Sequence, residues 1–324
     1  MNGAGTPENP YIIMSADDLY SMSETGGDEV CFSLGTDIDL GFTKYAEKFE
    51  PIPLKCLKFS GNGYMIRNVN FNLPDGPANI FTIINDTENS TVTVDNLVLE
   101  NIRLIGNDVF LFASHESKKY NLSLEHCSFT LNEVVYTSEA KNTDSTRNCL
   151  IHDTNISVDT DYCTFSAQVD CTKKHVLFSG DTIRHTQIRA ELSTVDFAPV
   201  DDNYNAILSG VTISDSYMFW SMKKRGGGAA SSLSMSSSDC NFSRFYTVCE
   251  AISGIATIYW KGQIGTPCFY DSEVLKKYIP NAKIESGSSS TSANSKNILA
   301  LTTAQCKDVN YLRSVGFDCL GAEE

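Results

Sequence analysis

The chain has 324 residues, with 25 Lys plus Arg against 40 Asp plus Glu, a formal net charge of −15 and a pI near 4.7. Nucleic-acid phosphates call for stripes of Lys and Arg, so this balance excludes a nucleic-acid wrapper. No stretch approaches the ~18–20 continuous apolar residues of a membrane span. At 41% apolar residues the chain can still bury a core.

The N-terminus, Met1-Asn2-Gly3-Ala4-Gly5-Thr6-Pro7-Glu8, has no basic or apolar leader region, so no secretory signal is expected. Pro10-Tyr11-Ile12-Ile13 reads as a short strand. Ser15 then reads as the N-cap of a short helix with Asp17 and Asp18 in its first turn and Leu19 and Met22 on one face. Residues 30–34 and 37–40 alternate as strands. Together residues 1–55 form an α/β cap, which a repeat protein needs to cover its open end.

From residue 56 one pattern recurs: polar, apolar, polar, apolar. It appears as Asn68-Val69-Asn70-Phe71, Asn101-Ile102-Arg103-Leu104, His126-Cys127-Ser128-Phe129 and Asn155-Ile156-Ser157-Val158. It continues as Gln187-Ile188-Arg189-Ala190, Gly210-Val211-Thr212-Ile213 and Asp239-Cys240-Asn241-Phe242. Alternation with period 2 puts the apolar pair on one face. The mean spacing, about 28 residues, is too long for a meander and fits a solenoid coil of three short strands and three turns. The expected fold is all-β: a right-handed parallel β-helix of about seven coils over residues 56–262. Val69, Ile102, Cys127, Ile156, Ile188, Val211 and Cys240 are expected to stack in one inward column. Phe71, Leu104, Phe129, Val158, Ala190, Ile213 and Phe242 would form the column beside it.

Residues 263–284 read as a C-terminal cap segment with a short helix over 272–278, ended by Pro280. Residues 285–296 are a Ser-rich linker by composition. Thr302 and Gln305 have the spacing of a capping box. The helix that follows carries Cys306, Val309 and Leu312 on one face and stops at Gly316. Segment 285–324 therefore reads as linker plus amphipathic helix, either capping its own solenoid or reaching a neighbouring chain.

The opening of the chain also carries a resemblance. Its parts are Pro10-Tyr11-Ile12-Ile13, Ser15-Ala16-Asp17-Asp18-Leu19, Phe32-x-Leu34-x-x-Asp37-Ile38-Asp39-Leu40, Phe49-x-Pro51-Ile52, Phe59-Ser60-Gly61-Asn62-Gly63 and Ile66-x-Asn68-Val69. In this order they resemble the start of right-handed parallel β-helix proteins found on gut bacterial surfaces and in the phages that infect those bacteria. The resemblance covers residues ~5–71, and Gly316-Phe317-Asp318 is similar to the end of such modules. It implies architecture rather than activity.

The eleven cysteines are an odd number, none is spaced C-x-x-C, and several alternate with apolar residues. They are expected to be buried reduced thiols made in a reducing cytoplasm. No catalytic set is complete. Asn142-Thr143-Asp144 and Asp201-Asp202 echo a polygalacturonase-like hydrolase, but they lie about two coils apart, with no Gly-His-Gly and no Arg-Ile-Lys. Asp159, Asp161 and Asp170 near Lys173-Lys174 could be drawn as a lyase calcium site, and a solvated charged loop describes them better. None of His115, His126, His152, His175 and His185 has metal-ligand spacing. Lys223-Lys224-Arg225 before Gly226-Gly227-Gly228 lacks the strand–loop–helix setting of a phosphate loop, so it reads as a basic docking loop.

These readings lead to a non-enzymatic structural or host-contacting component of a bacteriophage virion, head- or tail-associated. No cofactor and no metal are expected. Partner contacts fall to Lys223, Lys224, Arg225, Val309 and Leu312. The partners would be other virion proteins or copies of the chain itself, with a host surface glycan as a further candidate, and neither nucleic acid nor membrane insertion is expected. The alternatives are a bacterial cell-surface adhesin or glycan-binding module, and a polysaccharide depolymerase.

Overall fold

The computed structural model describes residues 1–46, 49–137, 149–171, 177–194, 206–224, 230–236, 240–252, 255–260, 262–265, 268–278, 284–286 and 298–316. They fall into two compact units, Met1–Gln168 and Val169–Glu324. Strands dominate both, and the named pairings between them are parallel. The architecture is the parallel β-helix that the repeat predicts. Among the described residues no helix is long and apolar enough to cross a membrane.

In the first unit, strands Tyr11–Ile13, Cys31–Leu34, Lys58–Ser60, Thr91–Asp95, Tyr120–Glu125 and Ile156–Asp161 stack rung on rung. Tyr11, Phe32, Phe59, Val94, Leu124 and Thr160 occupy equivalent positions. A second wall is built from Ile38–Asp39, Met65–Ile83, Val98–Ser114 and Ser128–Tyr136, with Ile38, Ile66, Leu99 and Phe129 in register. A third carries Ile52, Phe81 and Phe112. No coil buries much by itself, but stacking converts each inward row into a continuous core. Phe59, Phe81, Phe112, Phe129 and Phe165 form a run of ring contacts with centroids 5.2–6.3 Å apart. At the capped end Ser15 Oγ accepts from the Asp18 N–H, and Leu19 and Met22 are fully buried.

Turns between walls require backbone that folds back sharply, and several do so in the left-handed region. Asn68 (φ 61) and Asn101 (φ 54) are examples, and Asn tolerates this conformation better than most residues. Their side chains form a ladder. Asn68 Nδ2 donates to Asp39 Oδ1 at 2.7 Å, and Asn101 Nδ2 donates to Asn68 Oδ1 at 2.6 Å.

In the second unit, Ile183, Ile213, Phe242 and Ile264 share one column. Tyr217, Tyr246, Phe269 and Leu299 share another. Strands Phe178–Ser179, Ala206–Ser209, Ala230–Ser236, Ile255–Trp260 and Ile284–Ser286 make a separate five-stranded parallel wall.

All fourteen residues of the two expected apolar columns are buried, none more than 9% exposed. The columns themselves match only in part: in the second, Phe71 stacks on Leu104 and Ile213 on Phe242 as expected. Val69 does stack on Ile102, and Thr212 pairs with Asn241, which places Val211 and Cys240 at neighbouring positions. But Ile102 is followed by Leu131, Ile156 pairs with Tyr120, and Ile188 pairs with Met218. The physical reason is that every wall of a coil alternates in the same way. The pattern marks inside from outside without saying which wall a strand belongs to.

The tail also differs in detail. The capping box forms, with Thr302 and Gln305 satisfying each other's backbone N–H groups. The single helix is instead two, Thr303–Lys307 and Val309–Ser314. Asp308 leaves helical backbone and re-caps the chain by accepting from the Asn310 and Tyr311 N–H groups, each at 3.0 Å.

Candidate binding face

In the second unit, strand Thr212–Lys224 points Met218, Trp220 and Met222 into the core. Period 2 therefore turns Tyr217, Phe219, Ser221 and Lys223 outward. The neighbouring strand Gln187–Thr194 lies in register, with Gln187 beside Tyr217, Arg189 beside Phe219, Glu191 beside Ser221 and Ser193 beside Lys223. On the other side Tyr217 faces Tyr246.

The outward side chains form one connected surface. Phe219 meets Tyr217 edge-to-face at 5.6 Å and Tyr246 at 6.3 Å. The Arg189 guanidinium lies 5.4 Å from the Phe219 ring centre and makes a two-pronged ion pair with Glu250, at 2.8 and 3.1 Å. Tyr217 Oη donates to Gln187 Oε1 at 3.1 Å. Planar rings and a fork-shaped ion pair are thereby held on rigid strands. Such a surface can stack against a ring or a flat ligand face and hydrogen-bond at its rim.

The tail borders this face. Leu312 joins Phe269 and Leu301 in a small buried cluster, with Tyr246, Cys306, Tyr311 and Val315 packed against it. Burial and a hydrogen bond to Cys306 push the Tyr246 hydroxyl well above its ordinary range, so it stays protonated. A second polar feature lies at a corner, where Arg244 (φ 44) and Asp215 (φ 49) pair through both guanidinium and carboxylate prongs, one at 2.6 Å. The Arg244 hydrogen bond and charge hold the Asp215 carboxyl below the usual carboxylate range.

The residues expected to contact partners are placed as follows. Lys223 is exposed on the same outward row as Phe219, and Lys224 ends that strand opposite Thr194. Arg225 and the glycines after it lie outside the described residues. Leu312 is spent within the chain at 6% exposure, whereas Val309 remains on the surface at 36%. Asp144, Asp201, Asp202, Lys173, Lys174 and His175 also lie outside the described residues. His126 sits at a corner (φ 52), stacked on Tyr162 at 5.0 Å. His115 is exposed and lies 3.5 Å from Glu116. The aromatic part of the face was missed in the sequence, because the alternation that marks Val211 and Ile213 as inward changes phase at the left-handed Asp215 (φ 49), which turns Tyr217, Phe219, Ser221 and Lys223 outward.

No family model matches this chain, and no curated relative matches it. Among solved structures it is similar to one described as a "putative immunoglobulin A1 protease from Bacteroides ovatus". The identity is 15%, over 97% of this chain and 89% of that one, and the TM-score is 0.38. A likeness of that depth transfers no activity.

Proposed function

We propose that the chain is a non-enzymatic, host-contacting structural protein of a bacteriophage virion, which presents the outward face of its second unit to a partner. The observation that carries the reading is the Tyr217–Phe219–Lys223 row with its Arg189–Glu250 clamp, a contact surface on a stiff scaffold. Nine of the described cysteines stand outside any disulfide, eight of them buried, which suits folding in a reducing cytoplasm. Lys223 adds a positive charge to the face, and Val309 offers a small apolar contact on the docked tail.

A second reading is favoured by the aromatic composition of the same face: a glycan-binding module at a bacterial cell surface, with Tyr217 and Phe219 stacking on sugar rings. Fractionation separates the two. In the virion reading the chain travels with phage particles through a density gradient. Recovery from the surface of uninfected cells would replace that reading with the bacterial one. Phe219→Ala should weaken binding of the purified protein to host cells about tenfold while leaving its melting temperature within a few degrees, because Phe219 packs outside the core. If the protein instead cleaves host glycan, and Asp144→Asn or Asp202→Asn abolishes cleavage, it is a depolymerase.

A further inference from the structure

Two cysteines of the first unit sit directly above one another. The Thr164 N–H donates to the Cys127 carbonyl at 2.8 Å, so Cys163 lies one rung above Cys127. Each follows a left-handed corner residue, His126 (φ 52) or Tyr162 (φ 53), and those two rings stack with an interplanar angle of 11°. Each thiol is 2% exposed. The side chains are also aimed alike. Cys127 Sγ donates to the carbonyls of Glu125, two residues back, and Val94, one coil below, both at 3.4 Å. Cys163 Sγ repeats this with Asp161 at 3.4 Å and Leu124 at 3.3 Å.

Parallel rungs are ~4.8 Å apart, inside the ~4.4–6.8 Å Cα separation that a disulfide spans. We propose that Cys127 and Cys163 form an oxidisable pair that closes a disulfide between adjacent coils when the folded protein meets a peroxide. This holds wherever the protein acts, so it does not depend on the functional reading above.

The closeness of the two sulfurs holds the Cys163 thiol below its ordinary range and the Cys127 thiol above it. Cys163 is therefore the first nucleophile. Its thiolate attacks one peroxide oxygen. The O–O bond breaks, the departing hydroxide takes up the proton that Cys163 released and leaves as water, and Cys163 becomes a sulfenic acid. The Cys127 sulfur then attacks the Cys163 sulfur, the S–O bond breaks, and the hydroxyl departs as water with the Cys127 proton. Two thiols and one peroxide become one disulfide and two waters. The link ties two coils that otherwise hold together only by hydrogen bonds and packing.

The test uses the full chain, first reduced, then treated with hydrogen peroxide, alkylated under denaturing conditions and mapped by mass spectrometry. Before oxidation all eleven cysteines of the sequence should be alkylated. Afterwards the Cys127 and Cys163 peptides should be joined, and the melting temperature should rise by roughly 5–10 °C. Cys127→Ala and Cys163→Ala should each abolish the link. The double variant, shown folded by circular dichroism, should lose the thermal shift. The proposal is overturned if peroxide leaves both peptides alkylated, if Cys163 reaches sulfinic acid with no link, or if other cysteines pair first.

Discussion

Replacing Leu312 by Ala tests how the tail is held. Leu312 is 6% exposed and packs with Phe269 and Leu301, while Tyr246, Cys306, Tyr311 and Val315 close the edges. Leu→Ala in a buried site costs ~2–5 kcal/mol, and a cluster with three buried members belongs at the low end, ~2–3 kcal/mol. Solenoid coils contact only their neighbours, so the loss should appear as local opening of the tail rather than as global unfolding. At tenfold per ~1.4 kcal/mol, amide exchange through that opening should accelerate about 30- to 150-fold. The reporting amides are those of Leu312 and Val315, bonded at 2.9 and 3.1 Å to Asp308 and Tyr311. The assay is native-state hydrogen exchange, with Val309→Ala as the control because Val309 is 36% exposed. If the ladder amides of Thr212–Lys224 accelerate equally, the tail belongs to the cooperative core and the reasoning fails. It also fails if no amide accelerates, since Leu312 would then not be what docks the helices.

Asn68→Ala should cost ~2–3 kcal/mol in chemical denaturation, combining the left-handed backbone penalty with the lost ladder bonds to Asp39 and Asn101. Asn68→Gly should recover the backbone share, and equal losses for the two would refute that split. For Asp215, Arg244 lowers the folded-state pKa, so the stabilisation is fully present above the unfolded value near ~3.9 and disappears as pH falls through the folded value. Asp215→Asn should therefore flatten the loss of stability below about pH 4, by ~1 kcal/mol or less because Arg244 is 43% exposed. Identical acid slopes for variant and parent would argue that the pair contributes nothing.

Alternation by itself determined which residues face inward, and all fourteen expected apolar positions are buried, because a strand has only two faces and water penalises the wrong one. Local caps were equally legible. Ser15 and the Thr302–Gln305 box act within four residues of sequence, and no distant contact competes with them. Lys223 was picked out by its charge, but not the aromatic row it belongs to. What stacks on what was decided only in three dimensions. Coils vary in length, and their walls share one pattern, so Cys127 lies beneath Cys163 rather than above Ile102. The candidate face shows the same limit. Arg189 and Glu250 are 61 residues apart, and they meet across Phe219 because two further turns of the coil bring Glu250 back to that wall. Face is a property of a strand, whereas register is a property of the stack, and turn lengths set register without leaving a periodic trace in the sequence.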